Sequence, residues 1–309
     1  MNGGAQPDLS LPAPAKLNLF LHVLGRRADG YHELQTLFQL LDYGDRLEFR
    51  RTLDGAIAVA VEPPLDGLAE TDNIVYRAAR ALRDRYPGPE GVGIRIHKRL
   101  PAGGGLGGGS SDAATALVGL NMLWRLGLDL EALCVLGLEL GADVPVFLRG
   151  HSAWAEGIGE RLTPVSLPAA WYLVIRPGCQ VSTAAVFAHP QLTRDTPPMK
   201  IRAFFGEGAR NDCAAAVETL YPRVRAARRW LERHADARLT GTGSCLFARF
   251  DSRERAAEVL AQLPAQWSGF VARGVNRSPL SVATPQWITL LSLSVFGRRP
   301  DSPRSTASG

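Results

Sequence analysis

The most informative stretch of this sequence is residues 100–114, LPAGGGLGGGSSDAA. Six of the seven residues 103–109 are glycine. Glycine loses more backbone entropy on folding than any other residue, so a run of this density is tolerated where the backbone must adopt positive φ or approach a ligand closely. The run therefore predicts a functional loop rather than a flexible linker.

This glycine run lies between a predicted strand and a predicted helix. Apolar residues alternate with small or polar ones over residues 92–96, which is typical of a strand. A helix is predicted from about Ser111 to Leu126, where Gly127 ends it, and Ser110 or Ser111 is its expected N-cap. Free amide groups and the positive end of a helix dipole meet at such a junction, so the junction favours an anion, with phosphate as the expected ligand.

The glycine spacing leaves more than one class of phosphate loop open. A Walker A loop requires Lys and then Ser or Thr after its last glycine, and here serine follows the last glycine directly. Gly103, Gly105 and Gly108 satisfy G-x-G-x-x-G, the dinucleotide pattern. That pattern should be followed about 20 residues later by an acid at a strand end, whereas the acids found there open a second predicted helix at 129–140. A nicotinamide-dependent dehydrogenase therefore remains an alternative reading of this loop.

Outside the loop, the chain alternates predicted strands and helices. The strand at 16–24 places Lys16 and Asn18 on one face, where both side chains can contact one ligand. Further strands are expected within 46–61, on either side of a turn at Asp54-Gly55. The remaining expected elements are strands at 170–176 and 246–250 and helices at 73–85, 211–220, 222–234 and 252–263.

Three motifs in the same order resemble the family of galactokinase, homoserine kinase, mevalonate kinase and phosphomevalonate kinase, the GHMP kinases. They are PAPAKLNLFL (12–21), the glycine run with its flanks (100–114) and LTGTGSCLF (239–247). Narrower motifs resemble those family members that phosphorylate a cytidine diphosphate-linked methylerythritol in the non-mevalonate isoprenoid route: RADGYH (27–32), LFQLLDYGD (37–45) and LGADVPVF (140–147). The resemblance covers about residues 12–280.

The resemblance implies an α+β fold with the two-domain architecture of GHMP kinases and an active site in the cleft between the domains. We expect an N-terminal ATP-binding and catalytic domain at 1–150 and a C-terminal substrate-side domain at 151–284. Residues 285–309 have no counterpart in the family pattern, and we expect them to form a flexible tail. The implied reaction is ATP-dependent phosphorylation of the acceptor's 2-hydroxyl.

Site residues follow from the resemblance, each taken at the matching position of this sequence. Lys16 and Asp143 are the implied catalytic pair, in which Asp143 orients the hydroxyl and accepts its proton while Lys16 holds Asp143. The implied ATP-binding residues are Asn73, Lys98, Pro101, Gly103, Gly104, Gly105, Leu106, Gly107, Gly108, Gly109, Ser110 and Ser111. The implied substrate-binding residues are Asn18, Tyr31, His32, Thr183, Phe187, Gly241, Thr242 and Gly243.

Read from the residues alone, several of these positions also have a purely structural interpretation. Lys16 and Asp143 could form an ordinary ion pair, Tyr31 and His32 a stacked core pair, and the glycines around Thr242 a tight turn. A related kinase with another acceptor, a dehydrogenase and a non-enzymatic nucleotide sensor are the competing functions.

The expected cofactors are ATP and Mg²⁺, with the metal arriving on the nucleotide and bridging its phosphates. The histidines show no ligand spacing, so no histidine metal site is expected. Which side chain assists the metal is open, with the hydroxyl of Ser110 or Ser111 as a candidate. The expected partner is the small-molecule acceptor, a cytidine diphosphate-linked methylerythritol.

Composition narrows the remaining classes. The chain has 309 residues, a net charge of +5 from 35 basic and 30 acidic residues, and a hydrophobic fraction of 46%, so it can bury a core. The arginines are interleaved with acids rather than concentrated in a patch, so no nucleic-acid partner is expected. No apolar run approaches the roughly 20 residues that span a bilayer, and no membrane partner is expected.

Four widely separated cysteines favour a reducing cytoplasm. We expect a monomer or a weak homodimer.

Overall fold

The computed structural model describes residues 6–65, 67–86, 90–207 and 210–284. Two long antiparallel strands, β1 (Leu9–Arg26) and β2 (His32–Thr52), form its base. Every residue of β1 from Ala13 to Val23 is buried, because this strand is covered on both faces. A strand of this kind shows weaker alternation than a half-exposed one, which explains why its full length was not evident from the sequence.

The first half of the chain builds a mixed sheet covered by helices. Its strands pair so that β4 lies between β3 and β2, although β2 and β3 are consecutive in sequence. The two predicted strands within 46–61 are therefore present but do not pair with each other. The elements are β3 (Ile57–Glu62), α1 (Ile74–Arg85), β4 (Gly91–His97), α2 (Gly108–Leu123), α3 (Leu130–Leu140), α4 (Val144–Arg149), β5 (Ala153–Gly157) and β6 (Arg161–Pro164).

The second half continues the sheet through its last strand. The elements are β7 (Trp171–Arg176), α5 (Thr183–Ala188), α6 (Ile201–Glu207), α7 (Ala214–Leu220), α8 (Pro222–Leu231), β8 (Ala237–Leu239), β9 (Leu246–Phe250), α9 (Arg253–Ala261), β10 (Ser268–Val275) and α10 (Pro279–Ala283). The strand order is β3-β4-β2-β10-β7-β9-β8, and β10 joins β2 where Gly274 and Val275 face Leu41 and Leu40. The two halves thus share one hydrogen-bonded framework.

The apolar side chains of the described residues pack in three cores. The first lies between the β1-β2-β4 sheet and helices α1 to α4, and the second between the β7-β9-β8 sheet and helices α5 and α7 to α9. The third lies between them and includes Leu106, the one non-glycine residue of 103–109, which is 1% exposed. Burial of this leucine anchors the glycine run against the junction of the two halves. Strand β5 follows residue 150 in the chain but pairs with β2 of the first half. A domain boundary at residue 150 therefore stays a prediction.

The predicted first and last residues of some elements need correction. Helix α2 begins at Gly108, three residues before the expected start, and its N-cap is Gly107 rather than a serine. It ends at Leu123 rather than Leu126, since Arg125 has a φ of 54°, which is outside helical geometry. The predicted tail at 285–309 lies outside the described residues. No helix in the described part of the chain has the length and apolar character that a bilayer crossing requires.

The alternation predicted for 16–24 also breaks within β1. The pairing of β1 with β2 shifts register between Asn18 and Leu21. Phe20 consequently packs in the third core, whereas Leu21 and Val23 pack in the second. An irregularity of this kind moves the following side chains to the other face. It leaves Lys16 and Asn18 together, as the sequence predicts.

Candidate active site

A cleft of about 1470 Å³ runs along the junction of the two halves. One end is lined by the start of α1 and the glycine run, the middle by β1 and the start of α4, and the other end by the β1–β2 turn and α5. Every residue predicted for the site lines this cleft except Ser111, which is completely buried. Sequence positions from 16 to 243 therefore converge on one space.

Lys16 and Asp143 meet in the middle of the cleft. The Lys16 Nζ lies 3.2 Å from Asp143 Oδ2, and it also donates to Asn18 Oδ1 at 2.5 Å and to the Gly105 carbonyl at 3.3 Å. The Lys16 side chain is 4% exposed, whereas that of Asp143 is 32% exposed. The ammonium is thus held from three sides, while the carboxylate remains accessible to a ligand in the cleft.

Asp143 is positioned by the start of a short helix. It is the N-cap residue of α4, yet its side chain makes no capping hydrogen bond. Pro145 lies in the first turn, where its missing amide is tolerated. An extended Val144 would be expected from the proline that follows it, but Val144 is the first helical residue, so that expectation is wrong. The carboxylate consequently sits at the positive end of α4.

A buried web of hydrogen bonds fixes Asn18 beside Lys16. The Asn18 amide donates to Thr240 Oγ1 at 3.0 Å, and its Nδ2 donates to Thr36 Oγ1 at 3.0 Å. Thr240 Oγ1 in turn donates to the Gly105 carbonyl at 3.0 Å. Thr240 and Thr36 were missed as individual residues, although Thr240 lies inside the third quoted motif. Their hydroxyl groups connect strands β1 and β2, the glycine run and the segment before β9.

The glycine run needs glycine for two physical reasons. Gly105 has a φ of +75°, and a Cβ there would lie 2.1 Å from the carbonyl oxygen of Thr240, so the backbones must touch. Gly107 has a φ of +71°, and a Cβ there would lie 2.8 Å from the ring of Phe147. Positive φ is costly for residues with a Cβ. The run is therefore a fixed turn packed against its surroundings and not a linker.

The carbonyl groups and the amide groups of the glycine run differ in their hydrogen bonding. Its carbonyl oxygens accept hydrogen bonds from Ser244 and Cys245 amides, from Thr240 and Lys16 side chains, and from Lys16 and Ser111 amides. By contrast, none of the amide groups of residues 103–109 donates to a described residue. Uncommitted amides at the start of a helix form an anion site. This arrangement is what a chain of phosphates requires.

Lys98 occupies a buried charged cluster beside the run. Its Nζ is in contact with Asp45 Oδ2 and lies 2.8 Å from Asp112 Oδ2. Burial is the largest influence on the Lys98 ammonium, but the two carboxylates outweigh it and raise its pKa. Asp45 and Asp112 lie within quoted motifs but were not singled out from the sequence, since their positions in the sequence give no signal of where their side chains will be. Asn73 caps α1 by accepting from the Val75 amide at 2.9 Å.

Aromatic rings line the opposite end of the cleft. The rings of His32 and Phe187 stack with centroids 4.7 Å apart, while Tyr31 is 61% exposed. Burial lowers the pKa of His32, and the charges of Arg194 and Arg26 lower it further. His32 Nε2 is buried without a hydrogen-bond partner among the described residues. A neutral ring with an unused nitrogen is suited to the polar edge of a base.

The turn around Thr242, in the third quoted motif, lines the cleft between these two ends. The Gly243 amide donates to the Thr240 carbonyl at 2.9 Å, which is the tight turn that the sequence left as one interpretation. Thr242 Oγ1 lies 2.9 Å from Thr183 Oγ1, so the turn contacts α5. Because the turn also lines the cleft, its role toward a diphosphate stays a prediction.

Side chains that commonly bind metals are scattered over the described part of the chain. The described residues contain no group of three or more His, Cys, Asp or Glu side chains placed to hold a metal ion. The four cysteines are unpaired, and burial raises the pKa values of Cys134 to about 11 and of Cys213 and Cys245 to about 12, which leaves their thiols protonated.

Comparisons with known proteins agree with this geometry. The model described as "GHMP kinases N terminal domain" matches residues 73–151, and "GHMP kinases C terminal" matches residues 201–269. The 4-diphosphocytidyl-2-C-methyl-D-erythritol kinase of Halorhodospira halophila is 57% identical over 272 residues, which is 87% of this chain and 94% of that protein. The enzyme of the same name from Pseudomonas aeruginosa is 55% identical over 272 residues, which is 88% of this chain and 96% of that protein.

Solved structures give the same picture. A crystal structure of 4-(cytidine 5'-diphospho)-2C-methyl-D-erythritol kinase is similar with a TM-score of 0.74 and 33% identity, covering 86% of this chain and all of that one. The mevalonate kinase of Methanococcus jannaschii is similar with a TM-score of 0.64 at 16% identity, covering 89% of this chain and 100% of that one. The latter likeness concerns the fold alone.

Proposed function

The chain belongs to the GHMP kinase family, and we propose that it transfers the γ-phosphate of ATP to the 2-hydroxyl of 4-diphosphocytidyl-2-C-methyl-D-erythritol, with release of ADP. This reaction belongs to the non-mevalonate route to isoprenoid precursors. The observation that carries the proposal is the Lys16–Asp143 pair, held beside an anion-binding glycine run in the same cleft as a ring-lined pocket. Membership of this family removes the dehydrogenase and the non-enzymatic sensor from consideration.

We assign the proton transfer to Asp143. Its exposed carboxylate would accept the proton of the acceptor hydroxyl as the new P–O bond forms and the bond between the γ-phosphorus and the ADP oxygen breaks. Phosphoryl transfer passes through a loose transition state, so the proton can leave late and a strong base is not needed. Lys16 would hold Asp143 in place and offset the negative charge that gathers on the transferred group, because its ammonium is already buried and oriented.

ATP fits the glycine run as the structure presents it. The amides of residues 103–109 are uncommitted, and carbonyl oxygens that would repel phosphates are hydrogen-bonded to other parts of the chain. We propose that these amides hold the β- and γ-phosphates and that Mg²⁺ is carried mainly by the phosphates and water, which is its ordinary preference. When bound, the metal would neutralise phosphate charge. The apolar end of the cleft near Asn73 would accommodate the adenosine.

Acceptor recognition is assigned to the other end of the cleft. The cytidine ring would lie against Tyr31 and Phe187, and the neutral His32 would offer Nε2 to the edge of the base. Thr183 and the turn around Thr242 would contact the diphosphate from the side facing the glycine run. This arrangement would deliver the 2-hydroxyl to the middle of the cleft, where Asn18 and Lys16 lie.

The cellular setting is also a proposal. The unpaired cysteines agree with a reducing cytoplasm, and the interleaved charges agree with an enzyme that acts without nucleic acid or membrane. We propose a monomer or a weak homodimer.

A coupled ADP-release assay tests the function directly. Purified protein should release ADP with 4-diphosphocytidyl-2-C-methyl-D-erythritol and release none above background with mevalonate, homoserine or galactose. Free cytidine diphosphate should compete with the acceptor, because the proposed pocket binds the cytidine end. A preference for one of the other alcohols, with no competition by cytidine diphosphate, would overturn the substrate assignment.

A further inference from the structure

Three ionisable side chains form a closed group at the back of the cleft. Lys98 Nζ contacts Asp45 Oδ2 and lies 2.8 Å from Asp112 Oδ2. The three side chains, called the acid–lysine cluster below, are 9%, 0% and 5% exposed for Lys98, Asp45 and Asp112. Two carboxylates that share one ammonium and are largely shielded from water would carry a net charge of −1, which burial makes unfavourable.

This cluster lies directly beneath the anion site. Asp112 is one helical turn after Gly108, the first residue of α2. Lys98 Nζ lies 3.4 Å from the position that a Cβ on Gly108 would occupy, and Lys98 and Asp112 both line the cleft. Any charge on the cluster therefore acts at short range on a ligand bound by the amides of the glycine run.

The hydrogen bonds show which carboxyl group has room for a proton. Both oxygens of Asp45 are engaged, since Oδ2 contacts Lys98 and Oδ1 accepts the amides of Arg99 at 2.5 Å and Leu100 at 2.8 Å. Asp112 Oδ2 accepts from Lys98, whereas its Oδ1 is buried without a partner in the described chain. The pKa of Asp112 is raised to about 8: burial is the largest cause, Lys98 opposes the rise and Asp45 adds to it. Among the described residues, Lys98 and Asp45 are the charged groups that act on Asp112.

We propose that Asp112 is a protonated positioning residue, and that its proton keeps the acid–lysine cluster neutral so that the glycine run can bind the triphosphate of ATP. With the proton present, one carboxylate and one ammonium cancel. When the proton is lost, the cluster gains a negative charge beneath the phosphates and opposes them. The inference rests on the proposed function only in that it takes ATP as the ligand.

Two measurements on ATP binding without acceptor test the inference. In calorimetric titrations, the Kd of wild-type protein for Mg²⁺-ATP should rise roughly tenfold between pH 7 and pH 9, the effect of one charge about one helical turn from a phosphate. Near pH 8.5, binding should take up a fraction of a proton from solution, detected by repeating the titration in buffers of different ionisation enthalpy. A residue with a merely structural role would produce neither result.

Two substitutions remove the net charge by different routes. Asp112→Asn leaves Asp45 with Lys98, and Asp45→Asn leaves Asp112 with Lys98, so either cluster is neutral without an extra proton. Both variants should show a Kd that changes less than twofold over the same pH range and no proton uptake near pH 8.5. If one variant fails to fold, the other still gives the answer. Asp84→Asn, in an exposed pair with Arg80, is the control and should behave as wild type.

The outcomes are distinguishable. A wild-type Kd that is independent of pH, or a rise that persists in Asp112→Asn, overturns the role of Asp112 and leaves the kinase assignment intact. A chain that binds no ATP at any pH overturns both. ATP binding with pH-dependent affinity but no phosphorylation of the cytidine acceptor supports Asp112 and refutes only the proposed substrate.

Discussion

Replacing Asp143 with asparagine tests the centre of the proposed mechanism. The change keeps the size of the side chain but removes the group that accepts the hydroxyl proton and the charge that faces Lys16 at 3.2 Å. General-base catalysis typically contributes 10²–10⁴-fold to a rate, so kcat should fall by about that factor, which corresponds to a barrier higher by about 3–5 kcal/mol. The KM values should change little, because neither the glycine run nor the ring-lined pocket is altered.

Stability should be nearly unaffected by the same substitution. Asp143 is about a third exposed, and an ion pair in that setting contributes about 1 kcal/mol or less. Lys16 also retains its bonds to Asn18 and to the Gly105 carbonyl, so its ammonium keeps two hydrogen-bond acceptors. The unfolding temperature should therefore change by no more than about 2–4 °C.

The assay is steady-state ADP release with saturating acceptor and ATP, accompanied by thermal unfolding of the same preparations. Asp84→Asn serves as the matched control, because it removes an exposed ion pair whose residues do not line the cleft. An Asp143→Asn enzyme that turns over within fivefold of wild type would refute the assignment of the proton acceptor. A large loss of stability together with the loss of turnover would mean that the ion pair is structural.

Three further outcomes are expected. Gly107→Ala should raise KM for ATP at least tenfold and destabilise the fold by about 1–3 kcal/mol, because the added Cβ would contact the Phe147 ring at a residue with positive φ. Gly55 also has a positive φ, but a Cβ there has no neighbour within 4 Å. Gly55→Ala should therefore lower stability in thermal unfolding and leave KM for ATP unchanged. Tyr31→Ala should raise KM for the cytidine acceptor about tenfold and leave KM for ATP unchanged in the ADP-release assay; equal changes in both would contradict the pocket. Since burial and nearby arginines lower the pKa of His32 from 6.5, the ring is neutral at pH 7, and a pH series should show acceptor KM rising only in acid as the ring gains a proton. A KM that does not rise at any acid pH at which the protein stays folded would exclude His32 from base recognition.

Much of the fold was predictable because its signals are local. Asp129 caps α3 by accepting from the Ala132 amide at 2.8 Å, and Gly141 ends that helix, as expected from the sequence. Strand β4 was evident because only one set of alternate side chains is fully buried. By contrast, β1 is covered on both faces, and its register shift between Asn18 and Leu21 leaves no compositional trace. The start of α2 was misplaced because a glycine N-cap gives no capping signal.

The candidate site was predictable in its membership but not in its contacts. Motif resemblance identified the positions that line the cleft, with Ser111 as the exception, since α2 begins early and turns this residue inward. Resemblance did not predict that the loop amides would be uncommitted while the carbonyls are engaged. Nor did it indicate Asp45 and Asp112 as partners of Lys98. Such contacts join residues that are 14 or more positions apart, and only packing brings them together.

The local properties of the chain follow from its sequence alone. These are the positions where turns must form, the helix whose start favours an anion, and the motifs that accompany a nucleotide-dependent kinase. Such properties depend on a few neighbouring residues, so a linear reading recovers them. Folding decided which distant groups became neighbours, and thereby placed an ammonium at position 16 beside a carboxylate at position 143 and buried two acids around one lysine. The interaction energies of these groups depend on separation and on exclusion of water, and both quantities exist only once the cores have packed.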